Sequence, residues 1–167
     1  HKKIIQEVLK RAQKEKGTSV VYTFKPHPQV VIAKQKNTEL LTTYEERVKL
    51  LREIGIDILI EEPFDRKFST IKPEKFFSEI LLKRLGALAL YVGYDFGFGK
   101  GRTGTVELLE LLCRNEKVDF HIFEPEYVVD EVCSSSSIRD YLKNGQIKSA
   151  NQLLGYEFFY RGLVKRS

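Results

Sequence analysis

Four short runs rich in β-branched and aromatic residues, Ser19 to Phe24, Ile56 to Ile60, Ala87 to Val92 and Val118 to Phe123, are separated by stretches with helical spacing. Lys2 to Lys16 repeats apolar residues at Ile4, Ile5, Val8 and Leu9. A second helix is predicted from Thr42 or Thr43 to Ile54, with Glu45 and Glu46 in its first turn. A third opens at Pro73 and carries Phe76, Phe77, Ile80, Leu81 and Leu85 on one face, and a fourth covers Val106 to Asn115. Gly17, Gly55 and Gly86 stand where helices stop. Strand and helix in alternation, with short connections, predict a parallel sheet covered by helices on both faces. Right-handed crossovers then place every strand-exit loop on one edge, where such sheets hold ligands.

Two of those exits stand out. After the third strand comes Val92-Gly93-Tyr94-Asp95-Phe96-Gly97-Phe98-Gly99-Lys100-Gly101-Arg102-Thr103-Gly104, with five glycines in thirteen residues. Glycine lets backbone N–H groups approach phosphate oxygens, Lys100 and Arg102 add positive charge, and Phe96 and Phe98 offer faces to a flat ring. The mixture suits a nucleotide, although the same glycines and rings also suit a loop anchored on the core. After the first strand comes Lys25-Pro26-His27-Pro28, whose prolines hold His27 in extended backbone at the strand end. Val30 to Ala33 reads as a loop packed on the sheet. The exit after Ile60 carries Asp65 in a polar loop with two aromatics.

A second signature lies further on. Cys133-Ser134-Ser135-Ser136-Ser137-Ile138-Arg139 precedes a helix that stops at Asn144-Gly145. Plain helix capping is one reading and needs only one serine; four beside an arginine also suit a cradle for phosphate. Ile147 to Leu154 gives another helix closed by Gly155, and Tyr156 to Val164 reads as a strand opening a further domain. Cys113 falls on an apolar helix face and reads as core, Cys133 forms no metal spacing with it, and His121 reads as a structural residue of its strand.

With 167 residues the chain can form one good-sized core. No apolar run approaches membrane-spanning length and no secretory signal opens it, so cytoplasm is the expected compartment. The net charge of +5 is scattered rather than gathered in a stripe, which favours a polyanionic small molecule over nucleic acid. Methionine is absent, and His1-Lys2-Lys3 runs directly into a helix without a cap. A chain that begins this way is expected to be a fragment with residues missing upstream.

Taken together, Tyr22 to Pro28, Leu40-Leu41-Thr42-Thr43 with Glu46-Arg47, Val92 to Phe96 with Phe98-Gly99 and Gly104, Ser134-Ser135-Ser136 with Ile138-Arg139, and Ala150 to Gly155 resemble the adenylyltransferase module of the bifunctional prokaryotic FAD synthetases. The resemblance implies a Rossmann-like α/β fold of the HxGH nucleotidyltransferase type. Residues 1–155 would form the FMN adenylyltransferase domain without its first strand, and 156–167 the linker and opening strand of a truncated riboflavin kinase β-barrel. His1 would be the last histidine of the family's GxFDGxHxGH segment.

The reaction implied is transfer of adenylate from ATP to FMN, giving FAD and pyrophosphate, with Mg2+ assisting. Carried over by position, His1, Ser135, Ser136 and Arg139 would be the catalytic residues. His1, Gly93, Asp95, Ser135 and Ser136 would bind ATP, and Pro26, His27, Pro28 and Phe98 would border the flavin. The partners would be nucleotides and flavin, with no nucleic acid or membrane. Other readings stay open: an HxGH nucleotidyltransferase acting on nicotinate mononucleotide or phosphopantetheine, a module that binds flavin or ATP without turnover, and a weak RNA binder using its basic surface.

Overall fold

Residues 2–32, 39–128 and 131–159 are described by the structure, a computed structural model. Helix α1 (Lys2–Glu15) ends where Lys16 takes a left-handed φ of 54°, and the Gly17 N–H then donates to the Ala12 carbonyl at 2.8 Å. The reversal thus falls on Lys16, one residue before the glycine that marks it in the sequence. Strand β1 (Val20–Lys25) pairs in parallel with β2 (Ile58–Pro63), Val20 opposite Ile58 through Lys25 opposite Pro63. Between them α3 (Tyr44–Ile54) opens on a full capping box: the Thr43 hydroxyl accepts from the Glu46 N–H, and the Glu46 carboxylate accepts from the Thr43 N–H. Gly55, at φ 97°, closes it.

Strand β2 starts later than its apolar run and continues through Glu61, Glu62 and Pro63. The carboxylates are tolerated because each finds a cation. Glu62 accepts from the Tyr22 hydroxyl at 2.7 Å and from Arg84 at 3.0 Å, and Glu61 pairs with Lys25. At the other end of the pair, fully buried Ser19 donates its N–H and hydroxyl to the Asp57 carboxylate at 2.8 and 2.6 Å, and accepts from the Asp57 N–H at 3.0 Å.

The Ser19 hydroxyl, with its backbone N–H second, holds the Asp57 carboxyl below the usual carboxylate range. A folded-state pKa below the unfolded one adds stability above about pH 4, and that stability is lost as pH falls through the folded value. Ser19→Ala should therefore lower the melting temperature most near neutral pH, with the gap from wild type narrowing in acid. Thermal melts at pH 7 and about pH 3 test this; a gap independent of pH would refute it.

Strands β3 (Ala89–Gly93) and β4 (Asp119–Phe123) form a second parallel pair joined by α5 (Val106–Glu116). Between β2 and β3 runs α4 (Pro73–Lys75), with proline in its first turn, continuing into a π-helix over Phe76–Arg84. The expected α-helix is thus widened, as in the bond from the Leu85 N–H to the Ile80 carbonyl at 3.0 Å. Phe76, Phe77, Ile80 and Leu81 are all buried in this arrangement. They form the core with Phe98, Leu109, Cys113 and Val118, and Tyr22 and Phe24 from β1 and Leu90 and Val92 from β3 pack on it. Burial pushes the Cys113 thiol up to about 11, so it stays protonated at neutral pH.

Helix α1 is tied to the second strand pair by Arg11, which donates to the Asp119 carboxylate and, at 3.1 Å, to His121 Nε2. His121 stacks on Tyr91 with ring centres 4.5 Å apart, the structural role expected of it.

The expected loop over Val30 to Ala33 is instead a short helix, α2 (Pro28–Ile32), as far as the described residues go; Ala33 lies outside them. Proline at its first position suits a helix start, and the His27 carbonyl accepts from the Val30 N–H at 2.9 Å.

The chain divides into two compact units, His1–Glu124 and Pro125–Ser167. In the second, β5 (Tyr127–Val128) and β6 (Glu131–Val132) make a minimal antiparallel ribbon that the sequence did not announce. Helices α6 (Ser135–Lys143) and α7 (Ile147–Leu154) follow, with Ile138, Ala150 and Leu153 buried. The strand expected over Tyr156 to Val164 is not formed in its described part; there the Phe158 N–H donates to the Asn151 side chain at 2.8 Å. Residues 160–164 lie outside the described residues.

Candidate active site

The glycine run leaves β3 at Gly93 and folds back as a tight hairpin. Phe98 and Gly104 exchange backbone bonds of 3.0 and 2.9 Å, and Lys100 donates its N–H to the Ile71 carbonyl at 2.7 Å. Arg102 reaches across to the Asp95 carbonyl at 2.9 Å. Some of the glycines are explained by this packing. A Cβ on Gly97 would meet the Arg102 guanidinium at 2.9 Å, one on Gly99 would meet Pro73 at 2.7 Å, and one on Gly104 would meet the Phe98 ring at 2.7 Å. Only Gly101 faces open space among these four. Close approach thus accounts for Gly99 and Gly104, while Gly101 holds a left-handed backbone in open space.

Where hairpin and helix α5 meet, a cavity of about 220 Å3 is lined by Tyr94, Asp95, Phe96, Gly97, Arg102, Gly104, Thr105, Val106 and Glu107. Thr105 caps α5 by accepting from the Leu108 N–H at 3.3 Å, so the first N–H groups of the helix border the cavity. The Thr105 hydroxyl, with Glu107's own backbone N–H second, holds the Glu107 carboxyl below the usual carboxylate range. Donors at a helix start, one guanidinium and two aromatic rings share the cavity with the Asp95 and Glu107 carboxylates, so it suits an anionic group on a flat ring only together with a cation that offsets them. Asp95 lies in this cavity and Gly93 immediately precedes it. Sequence reasoning missed Thr105 and Glu107, although a threonine directly before an apolar helical pattern is a cap signal.

Phe98 belongs to the core at 6% exposure, 6.0 Å from Phe76 and stacked on Phe96 at 5.7 Å. Its faces are taken by protein, and the half-buried Phe96 is the ring on the cavity side. The Pro26-His27-Pro28 turn follows β1, and the His27 Nδ1 accepts from the Gln29 N–H at 3.3 Å, which makes the imidazole a cap for α2. A ladder of ring contacts joins this region to the hairpin: Phe24 to Phe68 at 5.5 Å, Phe68 to Phe76 at 6.2 Å, and Phe76 to Phe98. The exit of β1 and the glycine hairpin thus rest on one aromatic core.

In the second unit, Ser134 caps α6. Its hydroxyl accepts from the Ser137 N–H at 3.0 Å and lies 2.9 Å from the Ser137 hydroxyl. Ser135 and Ser136 occupy the first two helical positions, and Arg139 follows one turn after Ser135. His1 lies outside the described residues.

The FAD synthetase family model matches residues 1–137, a span that takes in both the glycine hairpin and the serine quartet. The chain belongs to the FAD synthetase family. It is 30% identical over 167 residues to the bifunctional riboflavin kinase/FMN adenylyltransferase of Bacillus subtilis (strain 168), covering 98% of this chain and 52% of that protein. The enzyme of the same name from Escherichia coli (strain K12) is 30% identical over 164 residues, with the same coverage. The chain therefore spans about half the length of the curated relatives it matches. In structure it is similar to a chain described as a macrolide-efflux protein from Streptococcus pneumoniae, with TM-score 0.80 over 95% of this chain and 60% of that one. At 24% identity that likeness speaks for the fold alone, an α/β fold with parallel strand pairs.

Proposed function

We propose that this chain carries FMN adenylyltransferase activity, within a protein that also phosphorylates riboflavin. The family match across residues 1–137 is the observation that carries the reading. In the reaction a phosphate oxygen of FMN attacks the α-phosphorus of ATP, the bond from that phosphorus to the bridging oxygen of the β-phosphate breaks, and pyrophosphate leaves. Such a step needs alignment and neutralised phosphate charge rather than a covalent enzyme intermediate. The protonated Cys113 and the capping role of Ser134 agree with a site that holds no activated nucleophile.

In this reading Asp95 and the Gly93 backbone lie along the adenosine. Ser135 and Ser136 bind phosphate through hydroxyls and helix-start N–H groups, and Arg139 steadies the departing pyrophosphate. His1 contacts the ATP phosphates. Pro26, His27 and Pro28 border the flavin, with Phe98 supporting that border from the core. Among the described residues no group of three or more His, Cys, Asp or Glu could hold a metal ion. Mg2+ is commonly bound by one or two carboxylates together with substrate phosphates, and Asp95 and Glu107 are the carboxylates lining the hairpin cavity. The ion would neutralise phosphate charge when bound. No helix among the described residues is long and apolar enough to cross a membrane. We place the reaction in the cytoplasm, on free nucleotides and flavin.

The test is FAD formation from ATP and FMN, scored by FAD and pyrophosphate together, with nicotinate mononucleotide and phosphopantetheine as competing acceptors. It is run on this chain by itself and on the full-length protein. FAD as the preferred product supports the proposal. Preference for another acceptor would overturn it, and flavin binding without turnover in either form would make the chain a holder rather than an enzyme.

A further inference from the structure

Lys25, the last residue of β1, is held from two sides. Its ammonium lies 3.4 Å from Glu61 Oε1 in β2 and 3.9 Å from the centre of the Tyr44 ring, the first residue of α3. Its carbonyl accepts from the Phe64 N–H at 3.0 Å, which fixes the backbone there as well. Pro26, His27 and Pro28 follow directly. One side chain thus ties the exit of β1 to the end of β2 and the start of α3.

Glu61 is the unusual member. Its side chain is 24% exposed, and its second oxygen, Oε2, is buried with no hydrogen-bond partner. A buried acceptor without a donor works against stability, and an apolar residue of similar size removes that penalty. Its pairing with Lys25 lets β2 tolerate the carboxylate, and the position still calls for a reason to hold a charge there at all. The ammonium it holds beside the proline turn supplies one.

We propose that Lys25, Glu61 and Tyr44 form a clasp that positions the Pro26-His27-Pro28 turn for flavin. These are positioning residues, acting on the ligand through the turn. The inference rests on the reading of that turn as the flavin border and adds to it the residues that set its geometry.

The experiment measures FMN and ATP binding separately in the full-length protein, by quenching of flavin fluorescence and by a fluorescent ATP analogue, alongside thermal melts. Glu61→Leu should weaken FMN binding about fivefold, the scale of one partly exposed ion pair and the cation–ring contact it helps to hold. ATP binding should be unchanged, and the melting temperature equal to wild type or higher. Lys25→Met should give the same FMN loss, and the double variant no more than either alone, because both remove one interaction. Glu61→Asp should recover part of it.

Equal loss of FMN and ATP binding, or a lower melting temperature with unchanged FMN affinity, would overturn the clasp and leave Glu61 a purely structural residue. Additive losses in the double variant would also overturn it. If wild type binds ATP but no flavin, the flavin reading of the turn fails first and the clasp falls with it, an outcome distinct from the others.

Discussion

Gly99→Ala is expected to destabilise the first unit by about 3 kcal/mol or more, and to open the glycine hairpin. Two causes add. Gly99 sits at φ 69°, ψ −173°, a conformation that essentially only glycine adopts. A Cβ there would also lie 2.7 Å from the Pro73 nitrogen and Cγ and 2.8 Å from its Cα, so it meets backbone that has no room to yield. Pro73 starts the helix that carries Phe76 and Phe77 into the core, and the strain would pass to that core. Gly101→Ala is the control. It has φ 61° and ψ 19° with open space around it, and should cost about 1 kcal/mol. Denaturant melts of both variants decide the matter. Equal effects would mean that the close approach of Pro73 does not constrain the hairpin.

Arg139→Ala should lower kcat/KM for FAD formation about 100-fold, the scale on which one preorganised donor to a transition-state oxyanion acts. In α6 the capping is already done by Ser134 with Ser137. That leaves Ser135 and Ser136 at positions whose backbone N–H groups have no acceptor inside the helix, with Arg139 one turn on from Ser135. Arg139→Lys should recover only part of the activity, because an ammonium lacks the planar fork that grips two phosphate oxygens. Ser134→Ala addresses the other role of the quartet and should cost about 1 kcal/mol of stability, the usual worth of a cap. Steady-state kinetics beside thermal melts separate the two. An Arg139→Ala enzyme within threefold of wild type would remove Arg139 from the proposed machinery.

The helix ends were legible because their causes are local. Thr43 with Glu46 three residues on, Gly55 after Ile54, and Pro73 ahead of an apolar face each carry their signal within a few residues. The cap of α6 was legible for the same reason, since Ser134 stands directly before the helix. Helix α2 was not, since prolines flanking His27 signal extended backbone as readily as a helix start, and the bonds to the His27 carbonyl and ring decide between them. The β5–β6 ribbon, with two residues on each side, is too short to show any period.

Sequence alone determined the alternation of strands and helices, their approximate ends, and the ordered motifs that mark the family, because each of these follows from neighbours along the chain. Tertiary structure alone decided what the glycines are for and which polar residues a strand can hold. Gly99 and Gly104 are small because Pro73 and Phe98 lie against them, and Glu61 and Glu62 sit in β2 because Lys25, Tyr22 and Arg84 meet them. Pro73, Lys25, Tyr22 and Arg84 come from other segments of the chain, and only folding brings them within reach.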